Sequence, residues 1–297
     1  MSLELTFDDL LSTGAHFGHI KRKWHPNYKP YILMTKRGIN IINLDETLYN
    51  IEKAIHFLKE VVENGGEILF VGTKKTIKDI VQQEADKCGM FYVVERWLGG
   101  TLTNFSTIRK SIKRLQSLEK ESSPLYENVT KKELLSLERE MIRLQDQHRG
   151  IKDMRRIPDA LIVADTHHEM IAVKEARHLT IPVVAIVDTN TDPKQVDYPI
   201  PANDDSIRAV KLIIGELSKA ICEVKDIPYP KDEEVVSDLE AGKSEGAESE
   251  EESMESEEKI SVSEKDEVTE TTSKDVEKKK TPAESKESKG ADESNDD

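Results

Sequence analysis

Cysteine is nearly absent: the 297 residues hold two, Cys88 and Cys222, which form neither a C-x-x-C nor a metal-spaced pair. A disulfide scaffold and a zinc knuckle are thereby excluded, and a reducing compartment is expected. No apolar run approaches the roughly 20 residues that a membrane-spanning helix needs. The start, MSLELTFDDLL, has no basic region followed by an apolar one. We therefore expect a soluble, intracellular chain without a signal peptide or a membrane partner. Catalytic signatures are missing too. Gly72-Thr73-Lys74-Lys75 lacks the second Gly-Lys-Ser/Thr half of a phosphate loop, and there is no H-E-x-x-H, no nucleophile elbow and no Ser or Cys beside an evident base.

The most informative absence is of acid. Leu10 to Leu44 contains no Asp or Glu across 35 positions, in a chain that holds 58 of them. Lys21, Arg22, Lys23, Lys29, Lys36 and Arg37 stand there, with His16, His19 and His25 interleaved. Fixed cations at this density condense phosphate and release its counterions, so the six, with His25 beside them, are candidate RNA contacts. Phe17, Trp24, Tyr28 and Tyr31 lie among them, where unpaired bases could stack. In the plainer alternative the stretch is a solvated loop. Of its aromatics, Phe17 and Tyr31 are the two expected to tuck into the core.

Acid is concentrated at the other end. From Lys231 onward there are 10 Lys and 25 Asp or Glu, which accounts for the whole net charge of −15 and leaves 33 basic and 33 acidic residues up to Pro230. The body is neutral. The tail, 231–297, has no aromatic residue and few large apolar ones, too little to offset the entropy of ordering, so it is expected to be disordered.

Periodicity supplies the architecture. Phe7 to Leu11 reads as a short helix, and Gly14, Gly18, Pro26 and Pro30 make the basic stretch loop-like. Tyr31 to Thr35 and Ile39 to Asn43 read as a hairpin with the basic tip Lys36-Arg37-Gly38, which closes an N-terminal segment over 1–44. Asp45 can cap a helix carrying Leu48, Ile51, Ile55, Leu58 and Val62. Ile68 to Val71 then reads as a buried parallel strand, Ile77 to Cys88 as an amphipathic helix and Phe91 to Val94 as the next strand. The alternation resumes with a strand at Ala160 to Ala164, a helix at His167 to Leu179 opened by a Thr166/Glu169 capping box, and a strand at Val183 to Val187. A loop rich in Pro and Asp leads to a last helix opened by Asn203-Asp204-Asp205. Residues 45–96 and 157–230 thus form an α/β domain, a parallel sheet with helices on both faces.

Within 97–156, Phe105, Ile108, Ile112 and Leu115, and again Leu134, Leu137, Met141 and Leu144, repeat at heptad spacing on either side of Ser123-Pro124. This predicts an inserted antiparallel coiled-coil hairpin. Its flank, with Arg109, Lys110, Lys113 and Arg114, is either a solvated face or a second RNA contact.

A reading from another class must be weighed. Asp165, His167, His168, Asp188, Asp192, Asp204 and Asp205 all fall near the carboxyl ends of strands, where doubly wound sheets bind ligands. A metal-dependent α/β hydrolase with a divalent ion at Asp188 and His167 would use them. Helix caps and an Asp192-Pro193 turn explain the same acids without a metal.

Taken in order, Gly14-Ala15-His16-Phe17-Gly18-His19, Trp24-His25-Pro26, Lys29-Pro30-Tyr31, Phe70-Val71-Gly72-Thr73-Lys74, Arg96-Trp97-Leu98-Gly99-Gly100-Thr101-Leu102-Thr103-Asn104, Gly150-Ile151-Lys152-Asp153-Met154, Asp188-Thr189-Asn190, Asp192-Pro193 and Ile200-Pro201-Ala202-Asn203-Asp204-Asp205 closely resemble the small-subunit ribosomal protein uS2 family of bacterial type, over roughly Leu5 to Val224. The resemblance implies a flavodoxin-like domain with a coiled-coil protrusion, in the cytoplasm of a bacterium or in an organelle. It implies binding to 16S rRNA between the head and body of the small subunit, contact with neighbouring small-subunit proteins and help in recruiting the large mRNA-binding ribosomal protein built of OB-fold repeats. No enzyme activity, cofactor, metal or small-molecule substrate is implied. Arg96 becomes a candidate RNA contact and Trp97 a packing residue, while the acids after the later strands become a fold-closing network. Arg155 and Arg156 stand where the family pattern has two small residues, and with Lys152 they are expected to add a phosphate contact.

Overall fold

Thr6 and Asp9 cap one another reciprocally, so α1 (Phe7–Ser12) forms as a short N-terminal helix. The computed structural model describes residues 5–120 and 130–230. After α1 the chain doubles back as β1 (Phe17–Ile20), β2 (Ile32–Lys36) and β3 (Ile39–Ile42), an antiparallel sheet in the order β1-β3-β2. The expected hairpin is β2 with β3. Strand β1 lies in the stretch read as loop, because Gly18 and His19 leave no apolar alternation there. Between β1 and β2 the basic residues wind through two 3-10 turns, Lys21–Lys23 and Pro26–Tyr31.

The longest helix, α2 (Leu44–Glu63), is capped by Asn43, whose side chain accepts from the Asp45 N–H. Asp45, expected as the cap, sits in the first turn, where its charge suits the helix dipole. Then follow β4 (Ile68–Val71), α3 (Lys78–Lys87), β5 (Phe91–Val93), α4 (Phe105–Leu118), α5 (Lys131–His148), β6 (Ala160–Val163), α6 (Met170–His178), β7 (Val183–Val187), β8 (Tyr198–Pro201) and α7 (Ile207–Val224).

Strands β4 to β8 pair in parallel in the order β5-β4-β6-β7-β8. The chain enters the sheet at β4, steps out to β5, then returns past β4 to β6, β7 and β8, which is flavodoxin-like winding with its switch point between β4 and β6. Alternate residues of each strand face opposite sides. Ile68, Phe70, Ile162, Val184, Ile186 and Ile200 meet α2, α3 and α7 in one core. Leu69, Val71, Leu161, Val163, Val183 and Val187 meet α6, Tyr28 and the start of α4 in another. Each of these fully buried side chains contributes about 1.5–3 kcal/mol. The sheet is therefore covered on both faces, as its uninterrupted apolar strands require.

Three local expectations fail for identifiable reasons. Strand β8 was hidden by Pro199 and Pro201, which are tolerated because β8 is an edge strand that pairs only with β7. No Thr166/Glu169 capping box forms. The Thr166 hydroxyl donates instead to the Ile186 carbonyl at 2.6 Å, and the Glu169 carboxylate accepts from Thr73 N–H and Oγ1 at 2.7 and 2.5 Å. Ser206, not the preceding Asn203-Asp204-Asp205, caps α7 by accepting from Ala209 N–H.

Helices α4 and α5 pack on each other through Leu115, Leu118 and Leu144, with Leu137 and Met141 at the margin. The α4 stripe is divided: Ile108 and Ile112 belong to the core of the α/β domain, and only its later residues meet α5. Leu134 is exposed. The link around Ser123-Pro124 and the acidic tail lie outside the described residues.

Candidate nucleic-acid interface

The parallel strands deliver polar residues to their carboxyl ends: Thr73 and Lys74 after β4, Asp165 after β6, Asp188 and Thr189 after β7, Asp204 and Asp205 after β8. In doubly wound sheets this edge is the ligand crevice. Here the chain's own N-terminal segment occupies it. The His19 N–H donates to Thr189 Oγ1 at 2.8 Å, and His19 Nδ1 donates to Asp188 Oδ2 at 2.8 Å. The His25 N–H donates to the Thr189 carbonyl at 2.7 Å, the Asn27 amide to Asp192 at 3.0 Å, and the buried Tyr28 hydroxyl to the Val187 carbonyl at 2.9 Å. At the other end, Asn203 binds the Ala15 and Gly14 carbonyls and Ser206 binds that of Thr13. Gly18 is required by proximity. A Cβ there would lie 2.5 Å from the Thr189 methyl group and 3.1 Å from the Asn40 carbonyl.

Beneath this cover, Lys74 Nζ reaches Asp205 at 2.8 Å, Asp165 at 3.2 Å and Asp204 at 3.8 Å. Burial alone would lower the Lys74 pKa, but the Asp205 hydrogen bond and the charges of Asp204 and Asp165 outweigh it and raise it. The hydrogen bond to Asp188 raises the His19 pKa against the effect of burial. Burial, with Asp165 and Asp188 close by, pushes the Asp204 carboxyl up to about 8. The acids therefore form the fold-closing network expected of them, with two corrections. His19, which the metal reading did not use, is the imidazole beside Asp188, and His167 is exposed on the surface.

Anchored in this way, the segment turns its cations outward. Lys21, Arg22, Lys23, Lys29, Lys36 and Arg37 are all exposed, and none has an acidic partner among the described residues. The Lys21 N–H donates to the Gly38 carbonyl at 2.8 Å, which brings the first 3-10 turn against the hairpin tip and joins Lys21, Arg22, Lys23, Lys36 and Arg37 in one patch. The tip is a two-residue turn in which Arg37 (φ 52°) and Gly38 (φ 81°) are both left-handed. His25 is half-buried, its Nδ1 at 4.0 Å from Asp192. Of the aromatics, Tyr28 is the ring that tucks into the core, and Tyr31 packs at its edge. Phe17, expected inside, is 49% exposed on β1, an edge strand of the antiparallel sheet.

The remaining candidates are dispersed. Arg96, Arg109, Lys110, Lys113 and Arg155 are exposed. Arg114 pairs with Glu140 at 3.1 Å and Lys152 with Glu119 at 2.6 Å. Arg156 holds the Gly65 carbonyl at 3.0 Å, Asp159 at 3.1 Å and Glu67 at 3.6 Å, at the amino ends of β4 and β6 and hence at the opposite end of the sheet from the Lys21 patch.

Sequence reasoning missed Glu175. Its carboxylate accepts from Trp97 Nε1, Gly100 N–H, Leu102 N–H and both the N–H and hydroxyl of Thr103, at 2.7 to 3.1 Å. Burial favours its neutral form, yet these donors outweigh burial and hold its pKa below the usual value. One carboxylate thus closes the Arg96-to-Asn104 loop that leads into α4. The available signal was a Glu flanked by Ala172, Val173 and Ala176 on the buried stripe of α6.

Fold and surface define a class, a flavodoxin-like domain whose ligand crevice is closed by its own chain and whose exposed cations face outward. The family model of ribosomal protein S2 matches residues 10–224, well over half the chain. The chain belongs to the ribosomal protein S2 family, and with it to the proteins of the small ribosomal subunit that act in translation. Among the described residues no helix is long and apolar enough to cross a membrane.

Proposed function

We propose that this chain binds 16S rRNA between the head and body of the small subunit, chiefly through phosphate contacts from the Lys21 to Arg37 patch. The observation that carries this reading is a group of exposed cations without acidic partners among the described residues, on a body that is neutral only when these cations are counted. Shape and backbone, not base edges, are what such a surface reads in folded RNA. Arg96, Arg109, Lys110 and Lys113 supply a second contact along a coiled-coil arm built on α4 and α5, and Arg155 with Lys152 adds a third. Neighbouring small-subunit proteins complete the site, and the assembled surface helps recruit the OB-repeat mRNA-binding protein in the cytoplasm of a bacterium or in an organelle. A role in catalysis is disfavoured by the crevice itself, where Gly14 to Tyr28 lies in the place a substrate would take.

The test is a salt titration of binding to a 16S rRNA fragment. Replacing Lys21, Arg22 and Lys23 together by Ala removes up to three phosphate contacts, so the slope of log K against log salt should fall in magnitude by about 2–3. An unchanged slope would overturn the assignment of this patch.

A further inference from the structure

Helices α4 and α5 meet the α/β domain where the apolar stripe of α4 passes from one core to another: Ile108 and Ile112 belong to the core of the domain, Leu115 and Leu118 to the contact with α5. His148, the last residue of α5, contacts α4 between these two groups and is only 1% exposed. Leu144, one turn earlier, and Ile151, just after it, are buried on either side of it in the chain. Its Nε2 lies 2.8 Å from the Ser111 hydroxyl of α4. Its Nδ1 is buried, and no hydrogen-bonding group reaches it among the described residues. Immediately beyond, Gly150 runs against β5, where a Cβ would strike the Tyr92 carbonyl and ring.

A neutral imidazole tolerates this setting and an imidazolium does not. With one proton, the ring keeps it on Nε2 and donates to Ser111, leaving a bare lone pair at Nδ1. A second proton would put a charged N–H at Nδ1, buried and without an acceptor. The charges on the packed elements are engaged with one another. Arg114 of α4 pairs with Glu140 of α5, and Lys152 with Glu119. Arg149 pairs with Glu95, which also holds Lys78 of α3, and its charge bears on Asp86 of the same helix. Strand β5 presents Tyr92. Burial is what acts on the imidazole, and it lowers the His148 pKa.

We propose that His148 is a pH-sensitive latch at the root of the helical pair: neutral, it lets the end of α5 seat on α4; protonated, it leaves the junction, and the turn Arg149–Ile151 comes away from β5 with it. The sign follows from linkage. A histidine whose closed-state pKa is depressed takes its proton more readily in the open form, so closure is full above the ordinary histidine pKa and weakens as pH falls below it. One proton taken up on opening makes the opening equilibrium about tenfold more favourable per pH unit, down to the closed-state value. Carboxylates titrate about two units below imidazole, so loss of the flanking ion pairs is a separate event at lower pH. The latch sets how firmly α5 and its return are held, and it does not depend on the RNA reading.

The experiment uses the full chain and follows amide hydrogen exchange, corrected for its intrinsic pH dependence, from about pH 7.5 to about pH 5.5, across the ordinary histidine range. The His148 ring is titrated by NMR over the same range. Opening of the last turn of α5, Leu144 to His148, should rise about tenfold per pH unit below about 6.5, while β4 and β6 stay protected. His148→Gln keeps a polar group for Ser111 and takes up no proton, so its last turn should show no such rise. His16, also held down by burial, lies in the N-terminal segment, so this local readout separates the two histidines. The ring titration needs no variant and should fall below the ordinary histidine value. Exchange that rises equally in wild type and His148→Gln, or a ring that titrates at the ordinary value while the last turn stays protected, would overturn the proposal.

Discussion

Replacing Glu175 by Gln tests whether a single carboxylate closes the loop at the base of α4. In the wild type Oε1 accepts from Trp97 Nε1 and Gly100 N–H, and Oε2 accepts from Leu102 N–H, Thr103 N–H and Thr103 Oγ1. Gln keeps one acceptor oxygen and sets an NH2 against the donors formerly served by the other. If the amide oxygen stays with Trp97 and Gly100, the N–H groups of Leu102 and Thr103 are orphaned, while the Thr103 hydroxyl can rotate to accept. Each of the two orphaned donors costs about 1–3 kcal/mol, so destabilisation of about 2–6 kcal/mol is expected in urea unfolding. Acid provides an independent check. The folded pKa is depressed, so the stabilisation is full above the unfolded carboxylate pKa and is lost as pH falls through the lower folded value. Wild type should therefore lose more stability than Glu175→Gln as pH drops below the ordinary glutamate range. A Gln variant within about 0.5 kcal/mol of wild type, the usual scatter for surface changes, or an identical acid response, would refute the reasoning.

Two further substitutions probe the basic segment. Gly18→Ala forces a Cβ against Thr189 and the Asn40 carbonyl, with an expected cost of about 1–3 kcal/mol as for overpacking and faster amide exchange at His19 and His25, whose N–H groups bond Thr189. Arg37→Asn relaxes a left-handed residue that costs about 1–2 kcal/mol, so stability should rise slightly in urea unfolding while affinity for a 16S rRNA fragment falls; a stability gain with full affinity would show that Arg37 contacts nothing. That a long cation occupies a position suited to Asn or Gly is itself a sign that its charge is needed there.

Legibility in the sequence followed the range of the interactions. Apolar runs such as Ile68 to Val71 and Val183 to Val187 announced the buried parallel strands because both faces of each are covered, and that pattern is local. Tyr198-Pro199-Ile200-Pro201 did not, since an edge strand tolerates prolines that local rules count against it. The cations were legible as a gap in acidic residues, which needs no structure at all. What anchors them was not: His19 meets Asp188 and Thr189 across about 170 positions, and no spacing rule connects them. Glu175 was hidden in the same way, as a charged residue on a buried stripe whose partners, Trp97 to Thr103, lie more than 70 positions earlier. Phe17 was misplaced because apolarity alone does not say which face of an edge strand is covered.

The most direct measurement of the central claim is sedimentation of cell extract on a sucrose gradient at low magnesium, where subunits separate, with this chain detected across the fractions. Co-migration with the small subunit, lost when Lys21, Arg22 and Lys23 are replaced together with Lys36 and Arg37, is the predicted result. A chain found only at the top of the gradient, or one whose position is indifferent to those five residues, would contradict it.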